Sequence, residues 1–181
     1  MTIISFEAKA ETPHLSNSHG VSVTSSDGSS VVKIFRPGSA LVQSRLLVEN
    51  LLRSHGVDPG RHVLTDEEDS CSWMLPFSPH QMLVISVFQA GETGYIRVSS
   101  PLVKIPDGAL ESFYRRLLDF NAEMVTASLA TIGEDVYVVA LRPLKDLDPG
   151  EAVDLIGRVC IYAHQCRDRL SVEFNVEPWR P

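Results

Sequence analysis

The spacing of apolar positions changes period several times along the chain, and each change marks an element. From Ser39, a candidate cap, Leu41, Val42, Leu46, Leu47, Val48, Leu51 and Leu52 supply an apolar helical surface. Gly56 stands where a C-terminal cap belongs, so the pattern predicts a first helix over about residues 40–55. Short β-like runs follow: HVLT at 62–65, CSWML at 71–75, QMLVISVF at 81–88 and YIRVSSPLVKI at 95–105, separated by polar or Gly-containing turns. They predict an antiparallel meander of three or four strands.

The last of these runs changes phase. Ile96 and Val98 are apolar on even positions, Val103 and Ile105 on odd ones, with Pro101 at the switch. Such a switch predicts a bulge, or a break in a strand on a sheet edge. On the edge reading, Arg97, Ser99, Leu102 and Val103 would offer backbone to an extended peptide.

A second helix is predicted after Pro106, with Asp107 as cap and Glu111 in its first turn, to about Phe120. At roughly 100° per residue, Leu110, Phe113, Tyr114, Leu117, Leu118 and Phe120 spread over an arc of about 160°. That is wider than one sheet face requires. Two readings stay open: a helix sunk deep in its own core, or one that also packs on a second subunit through Leu110, Phe113, Tyr114, Leu117 and Phe120.

After Asn121, MVTASLATI places Val125, Ala127 and Leu129 on one face, which predicts a strand with one side toward solvent. Gly133, Glu134 and Asp135 make a turn, and VYVVAL returns apolar on both faces, a pattern that belongs nearer the sheet centre. Asp148, Pro149, Gly150 and Glu151 form a capping-box start with Pro at the first helical position. Ala152, Leu155, Ile156, Val159, Ala163 and Cys166 continue that helix to about Leu170. Residues 172–181, with Val172, Phe174 and Val176 alternating, read as an extended C-terminal tail.

Residues 11–30 hold seven serines and bury too little apolar surface to offset the entropy of ordering, so residues 1–30 read as a flexible tail. Residues 31–171 then form one domain. Its element order, helix, strands, helix, two strands, helix, predicts an α+β fold: an antiparallel sheet with three helices packed mainly on one face.

Composition narrows the function classes. Of the 181 residues, 44% are hydrophobic and 22% charged, the balance of a soluble globular chain. A net charge of −7 with scattered Lys and Arg disfavours nucleic acid. The densest charge run, Asp66 to Asp69, lacks the ligand spacing and central Gly of a calcium loop and reads as a solvated turn. Three cysteines give no disulfide framework, the N-terminus lacks the basic region of a secretory signal, and no run is long enough to span a bilayer. The expectation is a cytoplasmic protein.

Candidate chemistry is thin. On a helix Cys160 and His164 share a face while Cys166 turns away, a poor zinc set. No serine lies in a nucleophile-elbow sequence, and no phosphate-cradling loop or GxGxxG turn is present. Asp146 with Asp148 and Glu134 with Asp135 sit in turns, where caps and solvation explain them. Trp73 reads as core and Trp179 as a tail anchor. No catalytic residue, metal or cofactor is expected.

The stretch YIRVSSPLVKIPDGAL, a helix ending in LLDFN, an alternating strand, a second strand ending in LRPL, and a helix opened by LDPGEAVDLIGRV together resemble the YbjN-like family, also described as bacterial sensory transduction regulators. The layout is similar to class I type III secretion chaperones. The resemblance covers about residues 39–170 and rests on apolar positions, on Leu117, Leu118 and Asn121, and on the Leu147–Glu151 helix start. Asn121 is read as a helix-ending residue. What the resemblance implies is a non-enzymatic domain, commonly a homodimer, that holds an extended client segment or acts as a regulator. The long Ser-rich N-terminus and Pro101 depart from the secretion chaperones. Two other classes stay open: a small hydrolase or metal-dependent enzyme with a dispersed site, and a structural subunit of a larger assembly.

Overall fold

The computed structural model describes residues 38–180, with side chains from residue 41 onward. The Ser-rich segment and the side chain of Ser39 lie outside the described residues. The elements are α1 (Gly38–Ser54), a 3-10 turn (Pro59–Arg61), β1 (Val63–Asp66), β2 (Ser70–Ser78), β3 (Gln81–Ala90), β4 (Thr93–Lys104), α2 (Leu110–Glu123), β5 (Ser128–Ile132), β6 (Asp135–Pro143) and α3 (Pro149–Phe174). The strands form one antiparallel sheet in the order β1-β2-β3-β4-β6-β5.

Strand register explains the core. Trp73 pairs with Ile85, Ile85 with Val98 and Val98 with Ala140, while Cys71 pairs with Val87 and Val87 with Ile96. Side chains opposite one another in a ladder share a face, and all seven of these are buried. The helices cover this face: α3 lies over β4 and β6, α1 over β3 and α2 over β5. Both α1 and α2 also touch α3, which puts the three helices on one side of the sheet. Each fully buried Leu, Ile or Val contributes about 1.5–3 kcal/mol of apolar transfer, which dominates the cohesion of the two layers.

The meander and the capping box stand as the pattern predicts. Asp148 Oδ1 accepts from the Glu151 N–H at 2.8 Å, and Glu151 Oε2 accepts from the Asp148 N–H at 3.2 Å. The phase switch at Pro101 is a bulge, where the β4–β6 register shifts between Pro101 and Val103. The edge reading of this strand is corrected: β6 folds back beside β4, so β4 is a central strand and the sheet edges are β1 and β5.

Other boundaries differ for local reasons. Asp107 does not cap α2. The cap is Ala109 in left-handed backbone (φ 57°), with no side-chain bond, and Ser112 Oγ donates back to its carbonyl. The strand after α2 starts only at Ser128, because Thr126 also has positive φ (62°), which interrupts extended backbone. α3 runs on to Phe174, so Val172 and Phe174 belong to a helix and not to an extended tail. Its last turn is held by tertiary contacts: the Phe174 ring meets Phe113 edge-on at 5.0 Å, and Arg116 pairs with Glu173 at 2.9 Å.

Candidate protein-binding surface

Residues on the opposite strand phase form the second face of the sheet. Met74 pairs with Val84, Val84 with Ser99 and Ser99 with Val139; one row on, Ser72 pairs with Ser86, Ser86 with Arg97 and Arg97 with Leu141. None of the described helices covers this face. Met74, Met82, Val84, Phe88, Tyr95 and Val139 are half-buried by one another, and Leu141 stays 54% exposed. The polar positions among them are largely satisfied internally: Ser72 Oγ donates to Ser86 Oγ at 2.9 Å. Phe88 and Tyr95 stack at 5.8 Å, and the Arg97 guanidinium lies 5.5 Å from the Phe88 ring. The result is a face of half-buried apolar side chains interleaved with buried serines, on which Arg97 and Leu141 are exposed.

The four residues expected at an open edge divide into two pairs. Arg97 and Ser99 sit within the region where β3 and β6 flank β4 on both sides, so their backbone is taken. Leu102 and Val103 lie beyond the end of the β3 ladder, which closes at Val84 and Ser99. That flank is occupied by the chain's own C-terminus: Val103 bridges Pro178, and the Trp179 N–H donates to the Leu102 carbonyl at 2.8 Å. The tail anchor expected at Trp179 is therefore a strand-like contact with β4.

On α2, Phe113, Leu117 and Phe120 are buried in this chain's own core, which removes them from the surface available to a second subunit. Phe120 is held between Arg116 and Arg169, each guanidinium carbon 4.6 Å from its ring centre. Leu110 (45% exposed), Tyr114 (41%) and Leu118 (67%) recur every four residues and form an outward apolar stripe. Leu118 was not among the expected interface residues, although its helical phase with Leu110 and Tyr114 was a signal for it.

Asn121 lies inside α2 and not at its end. Its Oδ1 accepts from the Leu129 N–H at 2.6 Å, and its Nδ2 donates to the Leu129 carbonyl at 3.3 Å. One amide thus satisfies both outward groups of an edge-strand residue, as a neighbouring strand would.

Titratable groups tell of burial more than of reactivity. Burial pushes the Cys160 thiol up to about 12 and the Cys166 thiol up to about 11, and it raises Cys71 as well. Burial thus favours the protonated thiol at all three, the form that is the poorer nucleophile. His164 is exposed beside them. Among the described residues no three His, Cys, Asp or Glu side chains converge as a metal site. Elsewhere, Arg45 bridges Glu49 (2.9 Å) and Asp66 (2.6 Å), tying α1 to edge strand β1, and holds the Glu49 carboxyl below its ordinary range.

No protein-family model matches the chain, and no curated protein matches it. Solved structures do. One is the crystal structure of the ExsC-ExsE complex, at TM-score 0.54 and 13% identity, covering 72% of this chain and 95% of that one. Another is the HopA1-SchA chaperone-effector complex, at TM-score 0.51 and 11% identity, covering 71% of this chain and 96% of that one. At such identities the likeness shows the fold alone: a six-stranded antiparallel sheet with three helices.

Proposed function

We propose that this chain is a protein-binding module of the chaperone type, which holds an extended client segment against the open face of its sheet. The observation that carries the reading is the sheet face around Val84, Phe88, Val139 and Leu141, which none of the described helices covers, on a fold whose other face carries all three helices. The two solved relatives support it, since the chaperone-effector complex is a structure with a bound protein partner. A YbjN-like regulatory role would use the same act, capture of an extended segment, with a different consequence. The reading includes a homodimer through Leu110, Tyr114 and Leu118 and a cytoplasmic setting.

The test is recovery of the tagged protein from its native host under gentle conditions, beside the double variant Val84→Asp, Val139→Asp. Both positions are half-buried on the open face, so the variant keeps the helix-side core. The expected result is one dominant partner, retained at moderate salt by the wild type and lost by the variant, with closely similar thermal melts. A partner that the variant holds equally well, or a wild-type protein that comes back alone, overturns the reading.

A further inference from the structure

The C-terminal segment occupies a strand position that another chain could fill. Pro101 has no N–H to give to a ladder, and β3 stops pairing at Ser99, so from there on β4 has a neighbour only in β6 until the tail arrives. The bulge at Leu102 turns its carbonyl outward, at a residue with no exposed surface. A buried carbonyl requires a partner. Here that partner is the Trp179 N–H.

Asn175 steers the chain into place. It ends α3 in left-handed backbone (φ 51°), a conformation Asn tolerates better than most residues, and so turns residues 176–180 back across β4. The hold is slight. Of strand pairing there is one bridge, Val176, Pro178 and Trp179 are each only half-buried, and Glu177 and Arg180 are exposed. Beside this bridge lies an open cavity of about 720 Å³, lined by Ile105, Phe174 and Val176 together with polar groups such as Lys104, Glu134 and Asn175. A strand slot flanked by a cavity of mixed polar and apolar lining has the two parts that β-augmentation needs: main-chain groups for affinity, and a pocket for alternate side chains.

The geometry points to a self-occupied docking slot: residues 176–179 are an internal stand-in for an extended peptide of a partner protein, which displaces them from Leu102–Lys104. The tail gives the chemistry of that peptide, an apolar residue where Val176 sits and an aromatic one three residues later. The rim carries Asp107 and Glu134 against Lys104, which favours a neutral or basic residue at the place of Glu177. This deepens the client-binding reading by adding a gated second contact, and it rests on that reading for what the displacing partner is. Its test does not, because the probe is the protein's own tail.

The probe is a fluorescein-labelled peptide copying residues 175–180, followed by anisotropy with full-length chains. In the full-length double variant Val103→Cys, Pro178→Cys, a disulfide across the bridged pair locks the tail in place, since directly opposed strand residues lie within disulfide reach. The expected result is no peptide binding by the oxidised form and binding restored by reductant. A second full-length variant, Trp179→Ala, loosens the tail and is expected to bind the peptide about tenfold more tightly than wild type, because more of it has the slot open. Failure of the cysteines to cross-link in the folded variant, equal binding by oxidised and reduced forms, or no binding by any form overturns the proposal. None of these outcomes bears on the open sheet face, which the Val84 and Val139 variants test separately.

Discussion

Replacing Asn121 by Ala removes the two bonds that its amide makes to the backbone of Leu129. Each such bond contributes about 1 kcal/mol net, so the loss is about 2 kcal/mol. Ala is the better helix former by about 0.6 kcal/mol in a helix interior, which opposes the loss. The balance is a destabilisation of about 1.5 kcal/mol. For a chain of this size each kcal/mol lowers Tm by about 2–4 °C, so the variant is expected to melt about 3–6 °C below wild type. Calorimetry gives the number, and hydrogen exchange at the Leu129 amide locates it: that amide should exchange faster while β3 and β4 amides do not. An unchanged or raised Tm, with Leu129 still protected, would refute the claim that the amide holds the strand.

Three further outcomes follow from burial and charge. On α2, Leu118→Asp is expected to leave the melt within a degree or two of wild type and, on the proposed dimer, to give a monomer by light scattering where wild type gives a dimer. Leu117→Asp, one residue earlier but buried, should unfold the chain; a folded Leu117→Asp protein would contradict the assignment of that face to the core. The folded-state pKa of Glu49 is depressed, chiefly by its bond to Arg45, so its contribution is fully present above the unfolded value near 4.5 and is lost as pH falls through the folded one. The stability difference between wild type and Glu49→Gln should be on the order of 0.5–1 kcal/mol at pH 7 and shrink as pH falls below 4.5 in pH-dependent melts.

What the sequence made legible was mostly local. The capping box at Asp148, the turn at Gly133 and the bulge at Pro101 each depend on a few adjacent residues, and each stands where the pattern predicts it. The central place of β4 is not local, because it depends on β6 returning past α2, and nothing in YIRVSSPLVKI distinguishes an edge from a centre once Pro101 interrupts it. The arc of α2 showed how much apolar surface the helix carries but not how that surface divides. Phe113, Leu117 and Phe120 went to the core, and Leu110, Tyr114 and Leu118 to the outside. The open sheet face was half visible, since QMLVISVF and VYVVAL are apolar on both phases. For VYVVAL that pattern pointed toward the sheet centre, where β6 lies inside the β5 edge, but a partner from outside the chain and a layer from within it leave the same mark on a strand.

The route of the chain through the sheet also bears on how it is made. β1 to β4 are joined by short turns and pair with their neighbours in sequence, whereas β4 and β6 pair only after α2 and β5 have been added. A chain emerging from the ribosome therefore completes a four-stranded half-sheet while the flank of β4 that β6 will cover is still bare. Pro178 and Trp179, which close the remaining flank at Leu102 and Val103, emerge later still, after α3. Late closure of non-local pairs is slow and leaves strand edges open to other chains. This protein should accordingly be most prone to aggregate during synthesis, before residues 135–143 are available, and a stop codon placed just before β5 should yield an insoluble product.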